Sequence, residues 1–371
     1  MEFVDLKAQY EHLKQSIDAR IHTVLDHGKY ILGPEVDELE QALADYVGVP
    51  HVITCANGTD ALQLCLMAKN IGPGDAVFCP TFTFFATAEV ISLCGATPIF
   101  VDVDLATFNI DPNHLEAAIQ DVIRDSELVP KAIIAVDLFG LPADYVALNK
   151  IVATHNLFLI EDGAQGFGGT IRGNKACSFG DVATTSFFPA KPLGCYGDGG
   201  AIFTHDKELA ETFRSLRFHG KGADKYDNVR IGLNSRLDTI QAAILLEKLA
   251  VFPWELLRRQ DIANTYSDGL SGIDQLVTPT IPVGCTSSWA QYTLQASNRS
   301  KLQTILDKKS IPSAIYYPTP MHKLTAFQES NNLTLPRSEK LCQQVLSLPM
   351  HPYLSREEQY LIIDVLTKSA I

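Results

Sequence analysis

The sequence predicts an α/β fold: a mostly parallel central sheet flanked by helices, followed by a smaller α+β domain. Three observations carry that prediction. Short apolar runs without polar alternation recur between His51 and Asp162, as expected of strands buried on both faces. Helical segments separate them, the rhythm of parallel β-α-β connections. Past about residue 250 this rhythm is lost to proline-punctuated short strands and mixed segments. The 371 residues accordingly divide into a large domain, 1–252, and a small one, 253–371, with the boundary near Phe252-Pro253.

Each element follows in order. Leu13, Ile17, Ile21, Val24 and Leu25 fall at helical spacing and predict an amphipathic helix within residues 3–27. A glycine- and proline-rich turn, Gly28 to Pro34, leads to a second helix from about Glu35 to Tyr46. His51–Thr54 is a strand before a helix at about Thr59–Lys69, and Ala76–Cys79 a strand before a helix at Ala86–Leu93. Pro98–Val101 ends in Asp102, Lys131–Val136 in Asp137, and Leu157–Ile160 in Glu161-Asp162. Polar groups therefore stand at the carboxyl ends of the strands, where open parallel sheets bind their ligands. Trp254–Leu270 reads as the first helix of the small domain.

Composition narrows the function. Hydrophobic residues make up 46% and charged residues 20%, the balance of a globular chain. A net charge of -13 argues against nucleic acid as a partner and requires any phosphate site to be local and well formed. No run approaches about 18 apolar residues, so no membrane span is expected. Met1–Lys7 lacks the basic-then-apolar layout of a signal peptide, which points to the cytoplasm. The eight cysteines show no paired metal spacing and read as free buried thiols, so no metal is expected.

Four segments bear on chemistry. Lys191 lies in Ser186-Phe187-Phe188-Pro189-Ala190-Lys191-Pro192, and four glycines follow between Gly194 and Gly200. Partial burial among such residues lowers an amine's pKa and frees it as a nucleophile toward carbonyls. Asp162 directly follows a buried strand, where a carboxylate could keep a pyridine nitrogen protonated or simply cap a following helix. Gln165, three residues on, could meet a ring oxygen. Gly58 and Thr59 stand at a strand-to-helix junction, where free N–H groups and the helix dipole favour a phosphate; an ordinary capped helix is the alternative. Pro80 to Ala88 carries Phe82, Phe84 and Phe85, of which one could stack on a flat ring while the others pack. Together the segments ask for a flat, phosphorylated, carbonyl-bearing cofactor, which pyridoxal 5′-phosphate satisfies.

With these segments in this order, the chain resembles the DegT/StrS-type sugar aminotransferases, which have the aspartate aminotransferase (type I) fold. The resemblance spans nearly the whole chain and includes Phe3-Val4-Asp5-Leu6-Lys7, Tyr30–Glu35, Gly72-Pro73-Gly74-Asp75 and Asn234-Ser235-Arg236-Leu237-Asp238. It implies that Lys191 carries the Schiff base and moves the proton. Asp162 would pair with the pyridinium nitrogen and Gln165 with the ring hydroxyl. Gly58, Thr59 and Ser186 would hold the phosphate, and Phe84 would stack on the ring. Asn234 would reach the phosphate of the neighbouring subunit's cofactor in a homodimer with shared sites, with Arg236 near the sugar nucleotide there. Tyr316, Tyr317 and His322 would lie near the sugar. L-glutamate would give its amino group to a UDP-linked keto sugar, alternating the cofactor between pyridoxal and pyridoxamine phosphate, for O-antigen, lipopolysaccharide or capsular polysaccharide biosynthesis.

Ser186–Gly200 is most similar to the branch acting at C3 of UDP-2-acetamido-2-deoxy-3-oxo-glucuronate. Tyr316 departs from that branch, which has histidine there. A neutral phenol suits a uronate carboxylate less well, so C4 amination of a 4-keto pentose or 6-deoxy hexose is the alternative. A sugar dehydratase of the same fold would carry histidine at position 191. A cofactor-binding regulator would bring a basic DNA-binding domain, for which the chain has neither length nor charge. A purely structural oligomer leaves the glycine-flanked lysine unexplained.

Overall fold

The computed structural model describes residues 1–224 and 226–369. The chain begins with α1 (Leu6–His27), α2 (Pro34–Val47), β1 (His51–Cys55), α3 (Gly58–Ala68), β2 (Asp75–Pro80) and α4 (Ala86–Leu93). It continues through β3 (Thr97–Val101), α5 (Pro112–Asp125), β4 (Val129–Val136), α6 (Tyr145–His155) and β5 (Phe158–Asp162). Short strands β6 (Thr170–Ile171) and β7 (Asn174–Lys175) lead to β8 (Val182–Ser186), β9 (Gly200–Thr204), α7 (Lys207–Leu216) and α8 (Thr239–Leu270). The remainder is β10 (Leu276–Val277), β11 (Cys285–Thr286), β12 (Tyr292–Ala296), α9 (Arg299–Lys308), α10 (Pro336–Gln344), β13 (Val345–Leu348) and α11 (Arg356–Ser369).

The central sheet has seven strands in the order β1-β9-β8-β5-β4-β2-β3. The pairings from β8 through β3 are parallel, and β9 runs antiparallel to its neighbours β8 and β1. Successive residues of each strand face opposite layers, as a pleated strand dictates. Ile53, Val77, Ile134, Ile160 and Ile202 join a core with α3, α4 and α7. Phe78, Ile133 and Leu159 face α5 and α6 instead, and Val52, Ala201 and Phe203 face α2 and α8. The unbroken apolar runs are thus explained by helices on both faces. At roughly 1.5–3 kcal/mol for each fully buried aliphatic side chain, these layers hold the sheet rigid under the site.

A three-stranded sheet, β10-β12-β13, builds a second core with Tyr266, Leu302 and Ile362. Here two expectations change. The helix expected to start at Trp254 is the second half of α8, which runs 32 residues and carries Pro253 inside it. Its first half packs on the large core through Phe252 and its second on the small core through Ile262. Met321, Phe327 and Leu335, all beyond residue 252, pack into the large core beside α3 and α4. Glu161 and Asp162, read as following the strand, belong to it: β5 pairs with β8 through Asp162↔Thr184. All eight cysteines are free, with Cys94 and Cys285 only partly buried. Among the described residues no helix is long and apolar enough to cross a membrane, and no cluster could hold a metal ion.

Candidate active site

Strand register assembles the site. Cys55 pairs with Gly200, and Gly200 pairs with Ser186, so the ends of β1 and β8 meet across the start of β9. Gly58, the first residue of α3, is thereby pressed against Ser186, and a Cβ on it would lie 2.7 Å from Ser186 Cβ. Gly200 is as tightly placed, its Cβ position 2.5 Å from the Asn57 carbonyl carbon. The helix cap is Asn57, whose side chain accepts from the Asp60 N–H at 2.8 Å, rather than Thr59 or Asp60. The N–H groups of Gly58 and Thr59 head the helix beyond its internal ladder, at the positive end of its dipole and beside Ser186. That arrangement suits a phosphate.

Asp162 is buried and accepts from Thr87 Oγ1 at 3.3 Å and from the Ala164 N–H at 3.2 Å. Burial raises its pKa, while the Ala164 N–H and the positive charge of Lys191 oppose the rise. Burial likewise lowers the Lys191 amine below its ordinary pKa, against the pull of Asp162. The Lys191 loop is closed on itself: its N–H donates to Phe188 O at 2.9 Å and the Cys195 N–H to Phe187 O at 2.8 Å. A Cβ on Gly194 would collide with the Phe188 and Pro189 carbonyls, and buried Lys248 Nζ donates to the Gly194 carbonyl from α8. The amine is thus partly desolvated, faced by one carboxylate, and carried on a fixed backbone.

Gln165 is oriented by its partners. Its Oε1 accepts the Phe139 N–H at 2.8 Å, and its own carbonyl accepts Ser288 Oγ at 2.7 Å. The amide nitrogen therefore points outward as a donor, reaching Tyr317 OH at 3.4 Å. Phe139 holds a positive φ of 57° to make this contact, backbone strain of about 1–3 kcal/mol. Of the three neighbouring phenylalanines, Phe82 is buried and Phe85 packs on Phe327, but Phe84 is 55% exposed, 6.4 Å from the Tyr317 ring. Phe84 alone presents a free face.

The sugar-side candidates are scattered. Tyr317 belongs to the cluster with Gln165 and Phe84, whereas Tyr316 packs edge-on against Phe3 at 6.2 Å. His322, expected near the sugar, is fully buried: Nδ1 meets Thr81 Oγ1 at 2.8 Å and Nε2 meets Glu339 at 3.2 Å. Both ring nitrogens are engaged, so it pins the 321–335 segment to the large domain and offers nothing to a ligand. In the 234–238 segment Ser235 turns inward and accepts the Ala56 N–H at 3.1 Å, which sends its neighbours outward. Asn234 is exposed, Arg236 lies over the Phe218 ring at 4.7 Å, and the two bond each other. Within one chain they do not join Lys191.

The donor set fits pyridoxal phosphate: an N–H cradle closed by Ser186, a buried carboxylate, an outward amide, a free aromatic face and a desolvated amine. Sequence reasoning missed Thr87, one turn beyond Phe84 on α4, for which helical spacing was the available signal. It also missed a buried acid pair beneath the site. Asp137 takes Tyr145 OH at 2.8 Å, and Glu161 accepts the Cys177 and Phe179 N–H groups. Burial pushes both carboxyls up; the two N–H groups favour charge on Glu161, so the retained proton resides on Asp137.

The pattern of the DegT/DnrJ/EryC1/StrS aminotransferase family matches residues 11–367. The chain is similar to the UDP-2-acetamido-2-deoxy-3-oxo-D-glucuronate aminotransferase of Pseudomonas aeruginosa, with 49% identity over 99% of each chain. A crystal structure of a DegT DnrJ EryC1 StrS aminotransferase from Brucella abortus superposes with a TM-score of 0.97, at 53% identity and 99% coverage of each chain. The Bacillus subtilis NtdA structure with bound pyridoxamine phosphate superposes at 0.91, with 30% identity over 100% of this chain and 85% of that one.

Proposed function

The chain belongs to the DegT/DnrJ/EryC1/StrS aminotransferase family and is a pyridoxal-phosphate-dependent aminotransferase of nucleotide sugars; from this premise we propose that it aminates C3 of UDP-2-acetamido-2-deoxy-3-oxo-glucuronate. The observation that carries the substrate is the 49% identity, end to end, with an enzyme named for that sugar. L-glutamate gives up its amino group and leaves as 2-oxoglutarate, and the keto sugar takes the amine in the second half of the cycle.

Bound pyridoxal phosphate supplies an electron-accepting ring that lets a proton leave the carbon bearing the amine. The protein does the rest. Lys191 would hold the cofactor through its amine, then take and return the proton at the reacting carbon, a role its lowered pKa suits. Asp162 would keep the ring nitrogen protonated, Gln165 Nε2 would donate to the ring hydroxyl, Phe84 would cover one face, and Gly58, Thr59 and Ser186 would hold the phosphate. Tyr316 and Tyr317 flank the sugar.

The working form is a homodimer in the cytoplasm, serving O-antigen, lipopolysaccharide or capsular polysaccharide synthesis. Tyr30, Ile31 and Leu32 support the dimer: each is more than a third exposed. Ile31 bridges to Asp238, beside Asn234 and Arg236, which would act in the partner's site.

A two-step absorbance titration tests the reading. Glutamate should bleach the yellow cofactor absorbance of the purified protein, and the 3-oxo-glucuronate should restore it. Recovery only with a 4-keto sugar lacking the carboxylate would move the amination to C4.

A further inference from the structure

Helix α8 carries a buried cation that has no part in the scheme above. Lys248 is 1% exposed, beside Leu245 and Phe252 of the same helix, which pack into the large core. Its Nζ donates to the Gly194 carbonyl and lies 4.6 Å from the centre of the Tyr196 ring. Among the described residues it forms no ion pair. Glu255, two turns further along α8, attracts it only from a distance and is already bonded by Gln9 at 2.7 Å and Tyr353 at 2.9 Å. A buried ammonium ordinarily sits against a carboxylate, because desolvation penalises the charge. Lys248 therefore weakens the fold where an apolar side chain would strengthen it.

What the ammonium touches gives it a task. Gly194 closes the segment that carries Lys191, and it has no slack on the loop side. A Cβ there would lie 2.5 Å from the Pro189 carbonyl oxygen and 2.6 Å from that of Phe188. The Phe188 oxygen is the one that accepts the Lys191 N–H, at 2.9 Å. From α8, Lys248 thus holds the peptide against which the Lys191 backbone is folded. Two turns earlier on the helix, Gln241 Oε1 accepts the Tyr196 N–H at 2.8 Å. A neutral amide suffices at Tyr196. At Gly194 the carbonyl meets a full positive charge, which makes a hydrogen bond roughly twice as strong as a neutral one.

We propose that Lys248 is a positioning residue for the amino-group transfer, fixing the Lys191 amine in the site through the Gly194 carbonyl. This rests on Lys191 as the reactive amine.

The clamp has its own pH dependence. Burial, helped by Arg259 and opposed by Glu255 and Cys195, lowers the Lys248 ammonium to a pKa of about 8. Cys195 and Tyr196 face it from the lysine loop, and burial pushes them up to about 11 and about 12. Tyr10 of α1 stands beyond the Tyr196 ring at 6.1 Å. The clamp is therefore charged below about pH 8 and weakens above it.

The test compares the full-length wild type with Lys248→Met, which loses the donor, and Lys248→Gln, which keeps an N–H without the charge. In cofactor-free protein, acetylation of Lys191 by acetic anhydride is followed against pH by mass spectrometry of its peptide. The midpoint should move up toward the ordinary lysine value in Lys248→Met, because a loosened loop gives the amine back to water, and Lys248→Gln should recover part of the difference. In the loaded enzyme, bleaching by saturating glutamate should slow about 10- to 100-fold in Lys248→Met while the half-saturating donor concentration stays within about twofold. The melting temperature should hold or rise, since a buried unpaired charge is gone. A Lys248→Met protein with the wild-type midpoint and bleaching rate overturns the proposal whatever its melt, because Lys248 would then serve folding alone. Should the variants not fold, hydrogen exchange of the wild type decides. Protection of the 195 and 196 amides should fall as pH rises through about 8, and protection that is flat across that window refutes the clamp. Wild-type protein that glutamate fails to bleach counts against glutamate as donor alone, because the acetylation midpoint reads the clamp without it.

Discussion

Gly58→Ala sets two familiar effects against each other at the phosphate cradle. The new Cβ would sit 2.7 Å from Ser186 Cβ and 3.3 Å from its Cα and Oγ, against an ordinary carbon contact of about 3.5–4.0 Å. Nearly an ångström must be found, and Ser186 cannot supply it. It pairs with Gly200, which pairs with Cys55 and is itself closed against Asn57. Overpacking of this kind costs about 1–3 kcal/mol. Alanine recovers at most about 1 kcal/mol of helix propensity, less at a first helical residue. A net loss of about 1–2 kcal/mol follows, with the α3 N–H groups pushed away from Ser186. Cofactor affinity should therefore fall roughly 5- to 30-fold. Fluorescence titration of cofactor-free protein with pyridoxal phosphate reads the affinity, and a thermal melt reads the stability. A variant that melts higher and binds cofactor as the wild type does would refute the argument, because propensity would then have won and the contact would have yielded.

Other consequences are as direct. Asp162→Asn should lower turnover about 100- to 1,000-fold by removing the charge that supports the ring nitrogen, yet raise the melting temperature of cofactor-free protein, since burial already disfavours that charge; an unstable but active variant would contradict both halves. Phe84→Ala removes an exposed ring, so the melt should stay within about 0.5 kcal/mol of wild type while cofactor affinity drops by about 0.5–1.5 kcal/mol on titration. Glu161 is pushed up to about 7 from 4.5 by burial, so the folded state holds its proton more tightly than the unfolded chain. Its stabilisation is complete below about pH 4.5 and is lost as pH rises through about 7, and melts across that window should show the decline. Glu161→Gln should flatten the slope at a lower melting temperature, because one of the Cys177 and Phe179 N–H groups loses its acceptor; a wild-type profile that climbs with pH would refute the assignment.

Legibility differed with the range of the cause. The helices α1 to α4 and the strands β1 to β4 follow from local period and punctuation, and start and stop within three residues of expectation. Lys191, Asp162, Gly58 and Ser186 could be singled out as candidates because each sits in a short segment whose neighbours already restrict its chemistry. The continuity of α8 through Pro253 was not, because a proline ordinarily ends a helix and only packing on two cores keeps this one intact.

The sequence by itself determined the α/β class, the cofactor chemistry and the residues at the strand ends, since these depend on side-chain type and on spacing within a few residues. Tertiary structure alone decided which polar groups are free. His322 and His351 look alike in sequence, each beside a proline or methionine in the last fifty or so residues. One is held at both ring nitrogens by Thr81 and Glu339, and the other packs beside Gln9 and Arg259 under the N-terminal segment. The partners come from more than 80 residues away in three cases out of four. A buried nitrogen's availability is set by what folding brings against it, and no local pattern encodes that.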